Sequence, residues 1–122
     1  MTEEEIIIYL EDSGFPRHIV ERGSEGLVER WVEFVGEVER GYPYGLVEYR
    51  HDLDLRGAID VIGLSERVAE ADERLEALLE HRDVRVWESG GENPWWDFGY
   101  PRNARGHFLN RMREAGLLES TE

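Results

Sequence analysis

The sequence contains no cysteine, no lysine and no glutamine. Without cysteine there is no disulfide framework, no thiolate zinc site and no thiol nucleophile. Without lysine, all 14 basic side chains are arginine, set against 28 Asp and Glu residues, and the formal charge is −14. Long apolar runs are missing as well. The stretch Ile6 to Leu10 falls far short of the roughly 20 residues that a membrane-spanning helix requires. Glu3, Glu4 and Glu5 stand where a secretory signal would be basic. These absences predict a cytoplasmic protein of bacterial type with no membrane partner. The shortage of positive charge also argues against nucleic acid, whose phosphate backbone needs a basic footprint. Anionic lipid surfaces are disfavoured for the same reason. A basic protein, a polyamine or a cation is attracted instead. GC-rich coding or a salty cytoplasm would leave the same composition, so acidity alone names no partner.

What is present points to a packed helical domain over residues 1–122. That length suits one core, and 40% hydrophobic residues suffice to fill it without covalent staples. A first short helix is expected over 3–11, with acids in its first turn and Ile6, Ile7, Leu10 and Tyr9 inward. Pro16 opens a further turn that Gly23 ends. A second helix runs from an N-cap at Ser24 to about Arg40. Its Leu27, Trp31, Phe34, Val35 and Val38 recur as one buried stripe, with Glu29, Glu33, Glu37 and Arg40 on the wet side. A third helix is expected from Leu46 to about Ile62, weakened at Gly57. Ser65 is expected to cap a fourth, with Val68, Ala71, Leu75, Leu78 and Leu79 as its stripe, a Glu70–Arg74 pair outside, and His81 near its end. A last helix spans about Asn103 to Ala115, with Gly116 beyond its C-terminus. Between these, Val84 to Trp87 form one extended piece, which alone cannot make a sheet. The expectation is therefore a mainly α protein: a small antiparallel bundle of four to five helices with an irregular, Trp-rich C-terminal arm.

Two segments stand out as candidate sites. In Glu48-Tyr49-Arg50-His51-Asp52-Leu53-Asp54-Leu55-Arg56, the i,i+3 spacing of Glu48 and His51 puts a carboxylate and an imidazole on one helical face. Di-metal bundles use that spacing twice, and here it occurs once, so no metal or cofactor is expected. Asp52 with Arg56, and Arg50 with Asp54, are spaced as ion pairs along one helix. An Asp–Arg pair joining two helices is the alternative. Asp52 and Asp54 do not face each other at i,i+2, which disfavours a paired-carboxylate reaction. The second segment is aromatic: Trp87, Trp95, Trp96, Phe98 and Tyr100 fall within fourteen residues. It reads either as a stacking or protein-binding surface, with Arg102 beside it, or as a set of anchors pinning an irregular arm. His18, His51, His81 and His107 lack zinc spacing, and Ser13, Ser24, Ser65, Ser89 and Ser120 sit in caps, turns or the tail.

The residues Trp31…Phe34-Val35…Val38-Glu39-x-Gly41-Tyr42, then Glu48-Tyr49-x-x-Asp52-Leu53-Asp54-x-Arg56, resemble a motif of short bacterial proteins. Trp95-Trp96 before Tyr100-Pro101-Arg102 extends the resemblance, which covers about a third of the chain. Several proteins of that type carry Asn where His51 stands, which speaks against a metal role for this histidine. The resemblance implies a fold and carries no chemistry.

Three functional expectations follow. The first is a non-catalytic interaction protein, of the immunity-protein or antitoxin kind, that binds a basic partner through carboxylates and aromatic anchors. Its candidate binding residues are Trp95, Trp96, Tyr100, Arg102, Asp52, Asp54 and Arg56. The second is a homo-oligomer joined through the Trp segment. The third is an enzyme or metal-binding protein centred on Glu48, His51 and Asp52.

Overall fold

A computed structural model describes residues 1–118, so Ser120 lies outside the described residues. Five α-helices and a two-stranded sheet follow one another: α1 (Glu3–Asp12), α2 (Arg17–Glu39), α3 (Leu46–Ile62), α4 (Ala69–Glu76), β1 (Leu79–Arg85), β2 (Phe98–Pro101) and α5 (Gly106–Glu114). The protein is mainly α, as its periodicity predicts. No helix among the described residues is long and apolar enough to cross a membrane.

α1 begins at a capping box. The Thr2 hydroxyl accepts from the Glu5 backbone N–H at 3.2 Å, and Glu5 accepts from the Thr2 N–H at 3.1 Å. α2 is longer than its sequence suggests, because the turn after Pro16 and the helix after Gly23 join across a kink. Gly23 sits at φ 59°, ψ −137°, a conformation that side-chain-bearing residues avoid, and a Cβ there would collide with the Glu3 carboxylate. The expected side-chain cap at Ser24 is replaced by one from the neighbouring helix. Glu3 accepts from the Ser24 backbone N–H at 2.8 Å and from its hydroxyl at 2.7 Å. One carboxylate thus ties α1 to the start of the second limb of α2.

The stripe of α2 is buried throughout: Leu27, Trp31, Phe34, Val35 and Val38 lose all contact with solvent. Phe34 meets Trp31, Tyr42 and Tyr49 at ring distances of 4.9, 5.5 and 5.5 Å, and Tyr49 carries the cluster on to Phe108 of α5 at 5.3 Å. Leu10, Leu53, Ile59, Leu75 and Met112 complete the same core. α5 ends as expected: Gly116 and Leu117 N–H groups return to the Arg113 and Met112 carbonyls at 3.0 and 2.9 Å.

The region after Ser65 departs from expectation. Ser65 does not cap α4; it starts a 3-10 turn (Ser65–Val68), and its hydroxyl donates to Asp60 and accepts from Arg56. α4 stops at Glu76, and the residues expected in its last turns run into β1. Leu78 and Leu79 satisfy a helical and an alternating pattern equally, and backbone pairing with a distant segment decides between them. That segment is β2, expected as an irregular arm. It pairs antiparallel with β1, Leu79 opposite Pro101 and Glu80 opposite Tyr100, before a bulge shifts the register and sets Arg85 opposite Phe98. His81 therefore cannot serve a helix C-terminus. It lies in the bulge at φ 55° and stacks on Tyr100, rings 5.0 Å apart and 8° from parallel. Arg74 pairs with Glu39 of α2, not with Glu70.

Candidate functional site

The motif on α3 supplies tie points to three other segments. Asp52 and Arg56 do not bond each other, and neither do Arg50 and Asp54. Asp52, 6% exposed, accepts from Nε and Nη2 on one edge of the Arg30 guanidinium of α2, both at 3.1 Å, and from the Tyr42 hydroxyl at 2.9 Å. Arg30 reaches on to Glu33 at 3.0 Å and Glu37 at 2.9 Å, which draws Glu37 out of solvent against expectation. One turn further, Arg56 is 3% exposed and clamps Asp72 of α4 at 3.1 and 2.8 Å, while Asp72 also accepts the Trp31 indole N–H at 2.9 Å. Both pairs are bidentate and join helices, the alternative that spacing left open. Asp54 accepts the Trp87 indole N–H at 2.7 Å, and Arg50 donates to the Val86 carbonyl at 2.8 Å with its guanidinium over the Trp87 ring.

Burial sets the electrostatics of these acids. Desolvation raises the Asp52 carboxyl above its ordinary range, opposed by Arg30 and Tyr42. Asp54 is likewise raised by burial and partly held down by the Trp87 N–H. Tyr42 is pushed well up, first by burial and then by the Asp52 charge beside it.

The aromatic segment is divided between core and partial cover. Trp96 is 5% exposed, lies under the Arg56 guanidinium at 4.3 Å and donates to the Ser89 hydroxyl at 2.7 Å. Trp87 and Trp95 are half-buried, and Trp95 meets the edge of Trp96 at 5.7 Å. None of the four tryptophans is exposed, so the rings hold the β1–β2 region onto α3 and form no open platform. Arg102 reaches the Ala77 carbonyl, closing the far end of the sheet. Trp96, Asp52 and Arg56, named from sequence as candidate binding residues, are thus occupied inside the fold. Tyr100 is covered by His81, and Asp54 remains beside solvent.

The open feature of this region is a groove. A cavity of about 660 Å³ lies between the α1–α2 elbow and α3, walled by Tyr9, Phe15, Ile19, Leu55 and Val61 and closed by Ser89 and Gly90. A second of about 470 Å³ is lined by Glu29, Glu33, Tyr44 and Glu48. Both share His18, Ile19, Arg30, His51 and Asp52, so they adjoin along α3 as one trench with a largely apolar half and a charged half, in which Glu29 and Glu33 pair with Arg22 and Arg30. The Arg30–Asp52 pair lines both halves where they meet. The approach of the closing loop depends on Gly57: a Cβ there would lie 2.6 Å from the Ser89 carbonyl oxygen. Glu48 and His51 stand exposed on the trench wall. Among the described residues no three His, Cys, Asp or Glu side chains gather as a metal-binding group.

Sequence reasoning missed Arg30, Tyr42 and Asp72, the partners on which the α3 motif depends. Arg30 and Asp72 had no visible signal beyond being charged residues next to apolar stripes. Tyr42 stands in the sequence only as part of the motif that resembles one in short bacterial proteins. No known family model, curated protein or solved structure matches the chain, so the site is read from its own geometry.

Proposed function

We propose that this is a non-catalytic, cytoplasmic interaction domain that binds a basic protein, in the manner of small immunity proteins and antitoxins. The observation that carries this reading is where the arginines go. Nine of the 14 are held in ion pairs within the chain, and Arg50 and Arg102 donate to backbone carbonyls. Exposed acids are left over. Glu66, Glu70, Glu73, Glu80, Asp83, Glu88 and Glu92 all face solvent, and none takes part in an ion pair among the described residues. An uncompensated field of this sign speeds encounter with a cationic partner and repels nucleic acid and anionic lipid. Catalysis at Glu48, His51 and Asp52 is disfavoured, because the Asp52 carboxylate already serves Arg30 and Tyr42.

The test is affinity capture from the source organism at low and moderate salt, followed by reconstitution of any complex from purified components. A basic protein that forms a stoichiometric complex, weakened as salt rises and by Glu66→Gln/Glu70→Gln/Glu73→Gln, supports the proposal. Retention of no basic protein at either salt removes its basis.

A further inference from the structure

We infer that the trench between the α1–α2 elbow and α3 is the docking groove for an amphipathic basic helix of the partner, an inference that rests on the proposed binding of a basic protein. Three features select this occupant. First, the trench is long and straight on one side. The α3 residues that line it, Glu48, His51, Leu55, Ala58 and Val61, recur every three to four positions, so a single helical face runs its length, about 20 Å at 1.5 Å per residue. That matches a partner helix of about four turns. Second, its chemistry is divided lengthwise. One half offers Tyr9, Phe15, Leu55 and Val61, with Val61 61% exposed. The other carries Glu48, which takes part in no ion pair among the described residues, beside Glu29 and Glu33, which pair with Arg22 and Arg30. Over the whole lining the carboxylates of Glu29, Glu33, Glu48, Asp52 and Asp54 outnumber those two arginines. A merely cationic chain leaves the apolar wall of the first half uncovered, and a merely apolar one leaves the free carboxylate of the second without a partner. A helix with an apolar ridge and flanking arginines or lysines uses both. Third, Asp54 stands in the apolar half with one oxygen taken by the Trp87 indole and the other without a hydrogen bond among the described residues. A half-buried carboxylate in that position favours a cation that enters alongside the ridge.

The tryptophans provide local reporters. Trp87 donates to Asp54 and Trp96 donates to Ser89, both lining the trench, whereas Trp31 donates to Asp72 with its ring fully buried. The probes are two synthetic peptides of identical leucine, alanine and arginine content, one spaced to form a single leucine ridge on a helix and one shuffled. In ¹H–¹⁵N spectra of the full chain, the ridge peptide is expected to move the Trp87 and Trp96 indole resonances saturably and leave that of Trp31 in place. Val61→Glu is expected to weaken it about tenfold, the worth of one apolar side chain, even though the change adds negative charge. Asp54→Asn, which keeps an acceptor for Trp87, is expected to weaken it severalfold. If both peptides bind equally, or Val61→Glu binds as well or better, the acidic surface acts without a groove and the inference fails while the proposed function stands. If neither peptide binds even at low salt, the groove inference fails, and the proposed function is decided separately by the capture experiment.

Discussion

The Asp72 carboxylate is the point at which three helices depend on one side chain, and Asp72→Ala measures that dependence. The substitution removes both acceptors of Arg56, whose side chain is 4% exposed, and the acceptor of the fully buried Trp31 indole. Stranding one member of a buried ion pair costs about 3–5 kcal/mol. An orphaned buried N–H adds about 1–3 kcal/mol. The two losses share one site, and Asp72 is 14% exposed, so water can enter the space that it vacates. Arg56 also keeps its bond to Ser65 and its place over Trp96. The expected cost is therefore about 3–6 kcal/mol, a large share of the roughly 5–15 kcal/mol that stabilises a domain. The control is Glu25→Ala, which breaks the Arg67–Glu25 pair, 43% and 62% exposed, for about 0–1 kcal/mol. Urea unfolding followed by far-ultraviolet circular dichroism reads both without relying on tryptophan emission. The double variant Arg56→Met/Asp72→Leu, which strands no charge, is expected to recover the ion-pair part of the loss and leave that of the orphaned Trp31 N–H. If Asp72→Ala costs no more than Glu25→Ala, the buried clamp does not hold the helices together.

Three further outcomes follow from the same structure. Gly57→Ala, a change that ordinarily stabilises a helix by about 1 kcal/mol, should instead destabilise by about 1–3 kcal/mol because the new methyl meets the Ser89 carbonyl; a raised melting temperature would contradict that close approach. Glu3→Ala should cost about 1 kcal/mol by uncapping the second limb of α2, and Glu3→Gln less, as thermal melts of the pair would show. The two Ser24 hydrogen bonds hold Glu3 below the usual carboxylate range, so its contribution is present above that range and is lost as pH falls through the lowered value. Asp52, Asp54 and Asp97, the last fully buried just before β2 and accepting from the Ser89 backbone N–H at 3.1 Å, behave in the opposite sense. Burial raises all three, so the folded state holds their protons more tightly, and stability is lost as pH rises through the raised values. Denaturation midpoints should therefore decline as pH rises from the ordinary aspartate range through the raised values. Asp97→Asn should flatten that decline more than the exposed control Glu66→Gln, and a profile flat or rising over the same interval would refute the assignment.

The sequence by itself determined α1, the limb of α2 after Gly23, and α3, and with them the core. Repeats such as Leu27, Trp31, Phe34, Val35 and Val38 leave a helix only one way to bury its apolar side, and that choice is local. The kink at Gly23, the end of the last helix at Gly116 and the excess of carboxylates were legible for the same reason: a residue's own conformational range or charge decided each. Tertiary structure decided what depends on partners distant in the chain. Leu78 and Leu79 suit a helix and a strand equally, and the backbone of Phe98–Pro101 resolved them as strand. Asp52 and Arg56 suit each other along one helix, yet Arg30 and Asp72 offer bidentate geometry from neighbouring helices in a drier place, where a charge-assisted bond is stronger. The trench exists only because the α1–α2 elbow stands off from α3, a consequence of packing that no periodicity records.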